Sequence, residues 1–181
     1  MPHIALMVYA VAALVASDDR VLCFTPEPPT AATTRETVQD ADVIVRARAT
    51  EYVPAGFPAP GNLRVIRFTV LETIKGHFTG DHLDVSGSLS DEDDFNRGTV
   101  PYVWLRLSGQ RGSCYATEYR SGAEYLFLLR AAPARSGFAV PSHGLHPYWK
   151  GLRPTNEQIR GPQDPWVQWV RTEVAAMRPT K

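Results

Sequence analysis

The chain lacks three things that would place it quickly. It has no net charge, no apolar run long enough to span a bilayer as a helix, and no repeat or low-complexity tract. Nineteen basic residues balance nineteen acidic ones over 181 residues. Such a balance gives no general drive toward nucleic acid or anionic membrane. The longest apolar run, Ile4 to Val15, has twelve residues, and about 20 are needed to cross a bilayer. Cysteine is scarce, with Cys23 and Cys114 alone. No G-x-S-x-G elbow is present, and Ser142-His143 are neighbours in sequence without triad geometry.

A single domain suits this length, and 44% hydrophobic residues with 21% charged ones suit a packed core. The Ile4–Val15 run, followed by Ala16 and Ser17, reads as the apolar region of a signal peptide spanning residues 1–17. The rival reading is a buried N-terminal helix or strand. Export would carry the chain to a secreted or periplasmic location. There an even cysteine count favours a disulfide between Cys23 and Cys114, against the alternative of a reactive thiol with a His base. Closing a loop 91 residues long would contribute roughly 4–5 kcal/mol in the chain-entropy account.

Past a Pro- and Thr-rich lead-in at 25–34, hydrophobic periodicity sets the elements. Thr34 is expected to cap a short helix ending near residue 41. Alternation of period two predicts long strands over 41–53 and 63–74, a shorter one over 82–86, another over 100–108, and an apolar strand over 123–130. Residues 54–61 (PAGFPAPG) read as a loop and 138–141 as a short last strand. Thr155 and Gln158 have capping-box spacing for a short helix stopped by Gly161. Asp164-Pro165 then opens an amphipathic helix over 165–177, with Trp166, Val167, Trp169, Val170, Val174 and Met177 spaced by threes and fours. The expected fold is all-β dominated with peripheral helices: an antiparallel β-barrel with a short N-terminal helix and a C-terminal amphipathic helix.

ADVIVRARAT, RFTVLETIKG, the late Cys114 and RSGAEYLFLL, in that order, resemble the netrin-like domain. This is the OB-fold barrel that also forms the inhibitory half of the tissue inhibitors of metalloproteinases. The resemblance covers roughly residues 23–141, leaving 142–181 as a C-terminal helical extension. DDFNRGTVPY, RGSCYATEYRSGAEYLFLL and PTNEQIRGPQDPWVQWV resemble one group of secreted bacterial relatives, out to about residue 171. The resemblance implies the Cys23–Cys114 disulfide and an exported, non-enzymatic binding module that uses no cofactor. The inhibitors' mechanism uses a Cys-x-Cys at the mature terminus. Cys23-Phe24-Thr25 lacks the second cysteine, so metalloprotease inhibition is the alternative reading. A thiol- or His-dependent enzyme is a third.

Charge is unevenly spread. Residues 81–96 hold six carboxylates and no Lys or Arg, and the following stretch is rich in Arg. Asp91, Glu92, Asp93 and Asp94, beside Tyr102 and Trp104, are the candidate binding residues for a cationic extracytoplasmic partner. The competing reading is a solvated loop, or one paired with Arg97, Arg106 and Arg111. Clustered carboxylates suit Ca²⁺, but the EF-hand glycine and terminal glutamate are missing, and the scattered histidines do not make a ligand set. No metal site is expected. Nor is a nucleic-acid partner, a membrane span or more than one copy.

Overall fold

A computed structural model describes residues 29–54, 64–111, 114–131, 144–147 and 152–177. The signal-peptide segment, Cys23, most of the 54–61 loop and the 138–141 strand lie outside them. The described chain is strand-dominated with helices at the periphery. Helix α1 spans Ala31–Asp40. Strands β1 (Val43–Val53), β2 (Arg64–Lys75) and β3 (His82–Ser90) follow as an antiparallel meander. One turn of helix, α2 (Leu107–Gln110), precedes β4 (Glu118–Arg120) and β5 (Glu124–Ala131). Then come β6 (Leu145–Pro147), β7 (Asn156–Ile159) and α3 (Pro165–Ala176).

The sheet order is β4-β3-β2-β1-β5-β6, and β7 also pairs with β5. The expectation of a wholly antiparallel, closed barrel is corrected on two counts. β4 runs parallel to β3, because the long excursion from 91 to 117 brings the chain back alongside Ser88 and on in the direction of β3. Moreover, the seven strands do not close into a barrel. The outermost strands, β4 and β6, have three residues each and do not pair with one another. A single parallel bridge, Phe95 to Gln158, joins the chain beyond β3 to β7.

β1 is central, so its alternation buries both faces over residues 43–45. Val43, Val45, Ala47 and Ala49 face an aromatic core in which Phe68 meets Tyr119, Tyr125 and Phe127 edge-on at 5.0, 5.9 and 4.9 Å. Ile44, Leu126 and Leu128 face the other way, under Val38 of α1 and Trp166, Val167, Val170 and Val174 of α3. Both helices start on side-chain caps. Thr30 rather than Thr34 caps α1, exchanging bonds with Thr33. Asp164 caps α3 by accepting from the Trp166 N–H at 2.9 Å. Lys75 donates to the Val38 and Gln39 carbonyls at the end of α1. Arg171 of α3 clasps Glu72 of β2, which also receives Arg46 of β1. Gly76 follows Lys75 with φ +72°, and a Cβ there would collide with the Asp42 carbonyl.

Two further expectations change. Residues 100–106 are irregular rather than a strand. Pro101 has no N–H for a ladder, and Tyr102, Leu105 and Arg106 all turn inward. Residues 155–160 are not a helix. Asn156 to Ile159 pair with Glu124 to Phe127 of β5, all four buried. Residues beyond 142 therefore supply two strands of the same sheet as well as α3.

Candidate functional site

The acidic loop follows β3 and is held from beneath by one side chain. Arg106 is fully buried. Its Nε donates to the Asn156 carbonyl at 3.0 Å, and Nη2 donates to the Ala116 carbonyl and Asn156 Oδ1, both at 3.1 Å. Nη1 donates to Asp94 Oδ2 at 2.8 Å, Ser108 Oγ at 3.2 Å and the Glu118 carbonyl at 2.5 Å. The guanidinium lies 4.9 and 5.2 Å from the ring centres of Tyr119 and Tyr125. A planar fork of five N–H groups can satisfy so many acceptors at once, and an ammonium cannot.

Around this anchor the loop is tied down residue by residue. Asp94 also accepts from the Ser108 N–H and Oγ, and its own N–H donates to Gln158 Oε1 at 2.6 Å. Asp93 accepts from Arg120 at 2.7 and 2.8 Å and from Gln158 Nε2 at 2.5 Å. Arg120 holds the Asp93 carboxyl below its ordinary range, against a small opposing effect of burial. Asn96 donates to the Trp104 carbonyl at 2.7 Å and to Glu157 Oε2 at 3.0 Å, and accepts from the Gly98 N–H. Glu157 is fully buried and its Oε1 accepts from the Arg106 N–H at 3.0 Å. Loss of water pushes the Glu157 carboxyl up to about 8; the nearby Arg106 opposes that rise without cancelling it.

Above the network opens a polar cleft of about 150 Å³ whose lining includes Glu92, Asp93, Asp94, Arg97, Arg111 and Glu118. Asp93 and Asp94 are committed to internal partners. Among the described residues the side chains of Glu92, Glu118, Arg97 and Arg111 enter no ion pair. Asp91 is exposed. Trp104 is 37% exposed and joined to the loop through Asn96. Tyr102 is withdrawn: it is 7% exposed, with its ring 5.1 Å from that of Trp166. Of the three arginines expected as partners, only Arg106 pairs with the acidic loop. Arg120 takes the second place, while Arg97 and Arg111 line the cleft.

Glu157, Gln158 and Arg120 are site residues that periodicity did not single out. The available signal was TNEQ, four polar residues between GLRP and IRGP, which local spacing assigned to a helix start. Cys114 packs beside Leu105, Ala116 and Leu152, and none of the described cysteines is a free thiol. Among the described residues no group of three or more His, Cys, Asp and Glu is placed to hold a metal ion. No described helix is long and apolar enough to cross a membrane. No family model matches the chain, and no curated protein does.

Proposed function

We propose that this chain is an exported, non-enzymatic binding module of the netrin-like OB type, and that the cleft of the acidic loop is its recognition edge. The observation that carries this reading is the pairing state of the cleft. Buried Arg106 and the Asp94–Ser108 contacts fix its floor, while the Glu92 and Glu118 carboxylates at its lining enter no ion pair among the described residues. A cationic group of a partner protein would complete them, and the exposed Trp104 beside the loop offers an apolar neighbour for that contact.

The OB assignment draws support from the strand order. A β1-β2-β3 meander with β5 on the far side of β1 supports an OB-type strand arrangement, here in a sheet that stays open. Export draws support from the apolar run at 4–15 and from Cys114, which is not a free thiol in a chain with one other cysteine. Pairing of Cys23 with Cys114 follows from that reading.

Affinity capture from the organism's own envelope and medium, run in parallel with wild-type protein and the Glu92→Gln/Glu118→Gln double variant, tests the recognition edge. The double variant leaves every internal bond of the loop in place. A partner held by wild type, lost to the variant and weakened as salt rises is the expected result. Equal capture by both proteins would remove the cleft from consideration. Thiol titration of the native exported protein tests the disulfide, with no reactive thiol expected.

A further inference from the structure

We propose that loop 91–98 is a proton-locked flap over Glu157, closed while that carboxyl carries a proton and released when it ionises.

The first ground is what keeps water from Glu157. Its two oxygens are met by Asn96 from the loop and by the Arg106 N–H from the segment that follows it. On its own strand it faces Leu126 of β5 across the ladder. The loop reaches β7 mainly through polar contacts: the Phe95–Gln158 bridge, the Asp94 N–H on Gln158, Asp93 on Gln158 and Asn96 on Glu157. Lifting the loop breaks these contacts and the Asp94 bonds to Arg106 and Ser108, and leaves the packing of the aromatic core among β1 to β5 in place.

The second ground is a charge count. The network holds one guanidinium, Arg106, and two carboxylates, Asp94 and Glu157. Asp94 takes the guanidinium directly at 2.8 Å, whereas Glu157 receives only the Arg106 backbone N–H. Among the described residues no second cation reaches it. Arg160, just beyond β7, has a 63% exposed side chain and lies over the Phe95 ring. Arg120 is spent on Asp93. The remaining titratable groups nearby are the Tyr102 phenol, raised by its own burial, and the Asp164 carboxylate at the start of α3. Neither adds positive charge. An ionised Glu157 is therefore a second buried anion against a cation already matched, which is costly unless water reaches it.

The direction of the switch follows by linkage. In the closed form burial pushes the Glu157 carboxyl up to about 8 from an ordinary 4.5. Opened to water it returns to the ordinary range. The closed form thus binds the proton more tightly, and each unit of rising pH between those values shifts the balance toward the open form by up to about tenfold. Glu92, Asp93, Asp94 and Arg97 ride on the flap, so opening takes the cleft apart. The inference concerns the loop's own state and needs no ligand, so it stands or falls separately from the recognition reading.

Amide hydrogen exchange followed by NMR on the full chain between pH 6 and 8 tests it, after correction for intrinsic base catalysis. The reporters are the Asp94, Arg106 and Ser108 amides, whose acceptors belong to this network. Their protection is expected to fall up to tenfold per pH unit and to lie well below that of β1 residues 44–47 at every pH. Glu157→Gln, neutral at all pH, is expected to flatten the slope. PH-independent protection in wild type, exchange of the reporters only together with the β1 core, or an unchanged slope in Glu157→Gln would each overturn the flap. If Glu157→Gln does not fold, the ¹³C carboxyl titration of Glu157 in wild type decides. A midpoint well above 7 supports the lock, and one near 4.5 removes it.

Discussion

Replacing Arg106 with leucine is the most direct perturbation of the network. The substitution strands several groups at once: the Asp94 carboxylate, Asn156 Oδ1, and the carbonyls of Ala116, Glu118 and Asn156. Removing one partner of a buried pair costs about 3–5 kcal/mol, because the other charge stays behind unpaired. Leucine recovers some of this by packing on the Tyr119 and Tyr125 rings, so a net loss of about 3–4 kcal/mol is expected. That is a large part of the 5–15 kcal/mol usual for a domain. Urea unfolding followed by tryptophan fluorescence reads the loss. The mechanism is separated from simple packing by a cycle with Asp94→Asn. If the stranded carboxylate carries much of the cost, the double variant should be more stable than Arg106→Leu alone by about 1–2 kcal/mol. Arg106→Lys keeps the charge without the fork and should lose about 1–3 kcal/mol. An Arg106→Leu protein within about 0.5 kcal/mol of wild type would refute the reasoning.

The remaining predictions concern Glu157, one glycine and the tryptophan pair. The raised Glu157 value gives stability that is fully present below about pH 4.5 and lost as pH rises through about 8. The fall is at most about 5 kcal/mol, should be visible in urea titrations at pH 5.5 and 8.5, and should be absent in Glu157→Gln. The lowered carboxylates Glu72, Asp93 and Glu124 act oppositely, losing stability only as pH falls below their ordinary range, so they leave that window clear. Gly87→Ala would place a Cβ 2.7 Å from the Tyr119 ring and against the Thr117 carbonyl. Its thermal midpoint should drop by an amount matching about 1–3 kcal/mol, and an unchanged midpoint would mean that the β3–β4 contact is loose. Trp166→Ala should cost about 3–5 kcal/mol. The half-buried Trp169, stacked on it at 5.1 Å, should cost less when changed to Ala, as chemical denaturation of the two variants would show.

The elements that alternate in isolation were readable from the chain. The long strands β1 and β2 follow period two, β5 is a continuous apolar run, and Asp164-Pro165 marks the start of α3 to the residue. The failures have local causes. Arg106 occupies a position in an alternating stretch where a charged residue ordinarily faces water, and its burial rests on acceptors from Asp94, Ala116, Glu118 and, fifty residues on, Asn156. TNEQ carries capping-box spacing, but spacing does not say whether a glutamine turns back on its own backbone or reaches across to Asp93 and Asp94. The acidic loop was legible as chemistry. Its division into committed Asp93 and Asp94 and uncommitted Glu92 was not, because Arg120 and Gln158 reach it only through the folded sheet.

The placement of β7 also governs the order in which the molecule can be completed. A chain delivered from its N-terminus presents Arg106 fifty residues before the acceptors on Asn156. Until they arrive, the guanidinium has no complete set of partners in the interior, and β5 lacks one of its neighbours. The nascent protein therefore waits with an uncovered strand edge and an unsatisfied cation, a state open to off-pathway pairing. Cutting the chain ahead of residue 156 would leave this waiting form rather than a smaller domain. Completion of the core in that sense awaits β7 and α3.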